Sequence, residues 1–263
     1  VQLFLLLVLY ATVFGLIVGS YLNVVIYRVP LGISTVTPRS RCPACGAPIP
    51  AIDNLPVLSW LLLRGRCRAC GNPISARYPL VEAATGLLFA VCLIAFGPAP
   101  ETAVAALFGC LMIVLALIDF DHLILPDRIT WPGIALGLLS RAGLIWIRGL
   151  PWAAMRDPIA GVLLGGGLPL AIWAVWYLVR KEEGMGLGDA KMLALIGAFL
   201  GWRGALVAFF VAVLAGAVVG VALMIRRGHG LQMRLPFGTF LALGGLVALF
   251  AGPEIVAAYA RLL

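Results

Sequence analysis

Ala105-Ala-Leu-Phe-Gly-Cys-Leu-Met-Ile-Val-Leu-Ala-Leu-Ile-Asp119 carries no charge until its last residue. The run is too long for an ordinary strand. It is apolar on every face, as a membrane span or a deeply buried core helix must be. Similar runs lie on both sides of it, at about 3–27, 79–97, 129–147, 159–179, 190–202, 204–225 and 236–252. A span needs about 20 apolar residues. The chain therefore reads as all-α: a polytopic membrane helix bundle of about eight spans. The 190–202 run is short and contains glycine, so it is expected either to cross at a tilt or to re-enter and line a cavity.

Composition agrees. Of 263 residues, 63% are hydrophobic and 11% charged, against about 45–50% and about 25% in a soluble domain. The first run lacks a basic leading segment and is long enough to span, which reads as a membrane helix rather than a cleaved signal. A start at Val1 leads us to expect a few native residues before it. No internal repeat stands out. The organisation expected is a first helix at 1–27, a polar cysteine-bearing segment at 28–78, and a helix bundle at 79–263.

The formal net charge of +8 sits mostly in loops that flank spans. If 28–78 is cytoplasmic, fourteen Lys and Arg fall on that side. Five fall on the other: Arg141, Arg148, Arg156, Arg203 and Arg261. The bias predicts that orientation. Both termini are then outside, and Asp119 and Asp189 lie at the cytoplasmic face. No basic helix or basic-aromatic platform is present, so nucleic acid is not an expected partner.

Cys42-Pro-Ala-Cys45 and Cys67-Arg-Ala-Cys70 are separated by 21 residues and each is followed by glycine. Paired CxxC knuckles at about this distance read as a four-thiolate zinc site. Such a site is closed and structural, with no open position for water. Disulfides are disfavoured in a reducing cytosol. Cys92 and Cys110 lie inside apolar runs and read as packing residues.

Two aspartates stand out among the eleven acids. Asp119 ends the run quoted above. Asp189 follows Gly184, Gly186 and Gly188 and opens another apolar run. Carboxylates at the edge of hydrocarbon are costly, so they mark function by default. Two that approach each other share a proton. That is the pair with which an aspartic protease activates water, and peptide-bond hydrolysis at a membrane surface is expected. Asp121, Glu182 and Glu183 are candidates for binding a basic substrate. Lys191 is a candidate for a substrate carboxylate, or for neutralising an acid across the site. Glu82 is a further candidate, with a partner expected outside its own helix. Ser20 and Asn23 read as interhelical hydrogen-bonders.

The ordered set of motifs resembles the bacterial prepilin peptidases, membrane aspartic proteases with a GxGD motif that are also N-methyltransferases. It comprises Gly19-Ser-Tyr-Leu-Asn23, both cysteine pairs, Asn54-Leu-Pro-Val57, Arg77-Tyr-Pro-Leu-Val-Glu82, Ile118-Asp119-Phe-Asp121-His122, Leu125-Pro126-Asp127 and Gly184-Met-Gly-Leu-Gly-Asp189. The resemblance spans nearly the whole chain. It implies cleavage of the basic leader from type IV prepilins and pseudopilins at the cytoplasmic face of the bacterial inner membrane. It also implies methylation of the new N-terminus from S-adenosylmethionine, Asp119 and Asp189 as the catalytic pair, and metal on the four cysteines. No glycine-rich nucleotide fingerprint places the methyl donor. A proton-coupled transporter and a non-enzymatic secretion scaffold are the alternatives, although transporters tend to show repeats and midplane sites.

Overall fold

The computed structural model describes residues 1–181, 186–227 and 235–261. Every extended regular element among them is helical. In chain order these are α1 (Gln2–Arg28), the one-turn α2 (Leu58–Leu62), α3 (Arg77–Phe96), α4 (Pro100–His122), α5 (Asp127–Ile147), α6 (Arg156–Arg180), α7 (Leu187–Arg227) and α8 (Phe237–Ala260). Short 3-10 turns lie at Ala51–Asn54 and Trp152–Met155. Among the described residues, seven helices are long and apolar enough to cross a membrane. The chain forms two compact units, Val1–Val114 and Leu115–Leu263.

Two of the eight expected spans, the apolar runs 190–202 and 204–225, both fall within α7, which counts once among the seven. α7 is broken at Gly201, whose φ of 74° and ψ of −179° are not helical. Only glycine takes that backbone conformation readily. A side chain there would also strike the carboxylate of Asp157 at the start of α6. The two runs are thus the two arms of a broken helix.

Small residues bring these helices together. In the N-terminal unit, Gly15 and Gly19 of α1 lie on α3. A Cβ on Gly15 would sit 2.8 Å from the Thr85 carbonyl, and one on Gly19 would sit 2.8 Å from Glu82 Cα. In the C-terminal unit, Gly161 and Gly165 of α6 meet Gly197 and Leu193 of the first arm of α7, backbone against backbone. Gly244 of α8 meets the Ala208 carbonyl in the second arm. Hydrocarbon gives no hydrophobic drive between helices, so close backbone approach through small residues supplies the association. The first arm is the centre of its unit: Met192, Leu193, Leu195, Ile196 and Ala198 are all buried. Burial on every side is why this arm reads as apolar all round rather than amphipathic.

Candidate active site and metal centre

The cysteine segment folds as two copies of one turn. Cys42 N–H bonds the Ala47 carbonyl, and Gly46 N–H bonds the Cys42 carbonyl. Twenty-five residues on, Cys67 N–H bonds Asn72 and Gly71 N–H bonds Cys67. Isolated bridges pair Arg41 with Pro48 and Arg66 with Pro73. Gly46 and Gly71 have φ of 70° and 71°, so each closes its knuckle in the left-handed region that glycine tolerates. Between 41–49 and 66–74, seven of nine positions are identical. This is an internal repeat that inspection of the sequence passed over, because the match is short and arginine replaces proline at its third place.

The four sulfurs lie within 4.8 Å of one another, and Cys42 Sγ is 3.9 Å from Cys70 Sγ. Sulfurs about 2.3 Å from a tetrahedral zinc would be about 3.8 Å apart, so the donor set fits that ion. All four thiols are unbridged. Backbone N–H groups of Cys45 and Ala44 lower the Cys42 thiol to about 6. At Cys70 the Asn72 N–H pulls the thiol down, but burial and the neighbouring sulfurs outweigh it and raise it to about 11. The cluster thus takes its first negative charge readily and its last reluctantly, and a cation at the centre reverses that reluctance. Arg68, inside the second knuckle, forks onto Asp53 at 2.6 and 2.8 Å. Its guanidinium holds the Asp53 carboxyl below the usual carboxylate range.

Glu82 joins this segment to the helices. It is buried in α3, and its Oε2 accepts the Val57 N–H at 2.7 Å. Val57 has a φ of 61°, a left-handed conformation that costs a β-branched residue about 1–3 kcal/mol. The Glu82 bond holds it there. The expectation of an interhelical role is met at Asn23, whose Nδ2 donates to the Tyr78 carbonyl at 3.1 Å.

Asp119 and Asp189 are both buried, at 5% and 9% exposure, and both belong to the C-terminal unit. Asp119 is one turn from the end of α4, which Leu123 terminates at a φ of 55° while donating its N–H to the Asp119 carbonyl. The Asp119 carboxylate meets the start of α8: Thr239 N–H donates to Oδ2 at 2.9 Å, and Thr239 Oγ1 donates to the Ala116 carbonyl at 3.0 Å. The open N–H groups of a helix start suit an anion. Gly238 leaves room for it, since a Cβ would lie 2.9 Å from Asp119 Oδ2. Asp189 stands in the first turn of α7.

Leu125 connects the two surroundings. Its Cβ is 3.0 Å from where a Cβ on Gly188 would lie, and its Cδ1 is 3.1 Å from the same point on Gly238. One side chain therefore fills the space beside both glycines that adjoin the aspartates. Sequence reasoning missed Gly238, Thr239 and the spacing role of Leu125. None is charged, and a backbone donor leaves no mark on composition.

Other candidates divide. Asp121 is exposed at the end of α4 beside His122. Lys191 forms an ion pair with Asp127, the first residue of α5. Glu182 and Glu183 lie outside the described residues.

Fold and site define a membrane-embedded pair of carboxyls capable of acid–base work, with a separate four-thiolate centre. Residues 13–96 match the bacterial peptidase A24 N-terminal domain, and residues 106–221 match the type IV leader peptidase family. The chain is 39% identical to a prepilin leader peptidase/N-methyltransferase of Pseudomonas putida, over 96% of this chain and 93% of that one. It is 36% identical to the protein of that name in Aeromonas hydrophila, over 94% and 91%. With that of Myxococcus xanthus it shares 45% identity over 82% and 63%. The chain belongs to the type IV leader peptidase family. No solved structure matches it. A peptidase family supports neither the transporter nor the scaffold alternative.

Proposed function

We propose that this protein removes the basic leader from prepilins or pseudopilins with Asp119 and Asp189, and then methylates the new N-terminus. The observation that carries the reading is that both carboxyls are buried in one unit, each beside a glycine that Leu125 packs against. Charged together they repel, so the working state holds one proton between them. The ionised carboxylate takes a proton from water as the oxygen attacks the scissile carbonyl. The protonated partner gives its hydrogen to the carbonyl oxygen. Collapse of the tetrahedral gem-diol breaks the C–N bond: the leaving nitrogen receives a proton from the dyad, one diol hydroxyl gives its proton back as the new carboxyl C=O forms, and the dyad returns to one shared proton. The Thr239 N–H keeps the Asp119 carboxyl in place throughout.

Substrate choice follows charge. Asp121, with Glu182 and Glu183 close to Asp189 in sequence, would complement a Lys- or Arg-bearing leader. Lys191 and Glu82 already have partners, and we assign them to holding the α5–α7 start and the cysteine segment. S-adenosylmethionine would supply the methyl group, in keeping with the names of the relatives. Zinc on Cys42, Cys45, Cys67 and Cys70 would hold the 28–78 segment and take no part in hydrolysis. The fourteen-to-five Lys/Arg bias favours the inner membrane with 28–78 and both aspartates at the cytoplasmic face.

The test is cleavage of a purified prepilin in detergent. Asp119→Asn and Asp189→Asn should each reduce it by about 10³-fold or more, since each removes one acid–base partner. Asn is nearly isosteric, so both variants should still purify with metal bound. The double variant should be little worse than either single one. Cleavage by either variant at a tenth of the normal rate would refute the dyad.

A further inference from the structure

Between the cysteine knuckles lies α2, a single turn that a four-thiolate site does not require. Its leucines are exposed: Leu58 60%, Leu61 58% and Leu62 80%. Ile52 at 66% and Leu55 at 46% continue the patch. Scattered apolar residues on a surface need no explanation, but a contiguous patch of this kind marks an interaction site.

Two further observations identify what covers it. The first is depth. Val57, immediately before α2, is bonded to Glu82, the sixth residue of α3. Glu82 lies about 8 Å along the helix axis from Arg77 at 1.5 Å per residue. Gly19 of α1 packs on Glu82 from the other side. α2 is therefore fixed level with the second turn of α3 and the last third of α1, rather than far out in water. The second is charge. Residues 28–78 carry seven arginines and a single acid, Asp53, and Arg68 engages that acid. Arg64 and Arg66 follow α2 directly and are exposed. Exposed leucines with a basic rim, at that depth, match the boundary between acyl chains and anionic headgroups.

We infer that α2 is an interfacial anchor: Leu58, Leu61 and Leu62 enter the acyl boundary of the membrane, and Arg64 and Arg66 bind anionic phospholipid headgroups. The anchor ties the cysteine module to the bilayer surface independently of its link to Glu82. It requires only that α1 and α3 span a membrane, and it stands or falls apart from the peptidase reading.

The experiment uses the whole chain in vesicles of phosphatidylcholine, with and without phosphatidylglycerol. Leu62→p-benzoylphenylalanine places a photo-crosslinker on the patch. Phe14→p-benzoylphenylalanine, on the exposed face of α1, serves as the yardstick. The expected result is a phospholipid adduct at position 62 comparable in yield to that at position 14. Phosphatidylglycerol should raise the yield several-fold at position 62 and not at position 14, and Arg64→Ser/Arg66→Ser should abolish that rise. Leu61→p-benzoylphenylalanine should give the same pattern. Adducts to a second copy of the chain or to added prepilin, or no lipid adduct where Phe14 gives one, would overturn the anchor. A lipid adduct indifferent to phosphatidylglycerol would overturn the headgroup assignment.

Discussion

The polar segment of the N-terminal unit and the packed helices of the C-terminal unit are held by different means. In the N-terminal unit, long polar side chains reach across to backbone or to each other: Glu82 to Val57, Trp60 Nε1 to the Ile74 carbonyl, Arg68 to Asp53, and four sulfurs around one point. In the C-terminal unit the means is absence of side chain, at Gly161, Gly165, Gly188, Gly197, Gly238 and Gly244. A short polar segment has little core, so it depends on specific bonds and metal. A helix bundle has core in abundance and depends on how closely its backbones approach. The polar segment should therefore be sensitive to lost donors and the helices to added volume.

The largest expected effect tests the second half of that contrast. Gly197→Val drives a branched side chain into the Gly161 backbone, where nothing flexible can yield. Overpacking costs about 1–3 kcal/mol and more where backbone must move. Folded protein recovered from membranes should fall several-fold, measured by monodisperse yield. Gly143→Ala, inside α5 with nothing within 4 Å, should leave that yield near normal.

Metal tests the first half. Cys42→Ser, or prolonged chelation, should remove about one metal ion per chain and expose 28–78 to protease. The helices from α5 to α8 should resist protease as before. Simultaneous loss of both regions would show that the two do not rely on different supports.

Leu125→Ala sharpens the comparison within the candidate centre. It removes the filler beside Gly188 and Gly238 while leaving both carboxyls. We expect kcat for cleavage to fall about tenfold with KM nearly unchanged, because a displaced acid–base group loses transition-state stabilisation. Leu125→Met should restore most of it. A change in KM alone would assign Leu125 to substrate binding instead.

The sequence displays those features whose chemistry resides in the side chain itself. Apolar length shows the spans, CxxC shows the thiolates, and isolated acids show Asp119 and Asp189. It conceals partners that are backbone: the Val57 N–H on Glu82 and the Thr239 N–H on Asp119. It also conceals pairs made by distant segments, such as Lys191 with Asp127 across 64 positions. The break at Gly201 is ambiguous in sequence, because glycine also occurs in unbroken membrane helices.

The smallest expected effect concerns pH. Arg68 lowers the Asp53 carboxyl below its unfolded value. The stability from this pair is therefore present above the ordinary carboxylate pKa of about 3.9 and is lost as pH falls through the lower folded value. Protease resistance of 28–78 should decline slightly on acidification below pH about 4, and Asp53→Asn should flatten that decline. The pair is at the surface, so added salt should have a similar weakening effect.

The break in α7 has a consequence for what surrounds the dyad. The first arm, 187–200, is 14 residues long, or about 21 Å, whereas the hydrocarbon layer is about 30 Å thick. An arm this short could not satisfy a bilayer by itself. It is instead covered by its own unit: Met192, Leu193, Leu195, Ile196 and Ala198 are buried. Asp189 is two residues from the head of that arm. The carboxyl is thus carried on a segment whose solvent is protein rather than acyl chain, so its surroundings are written in the sequence of the neighbouring helices.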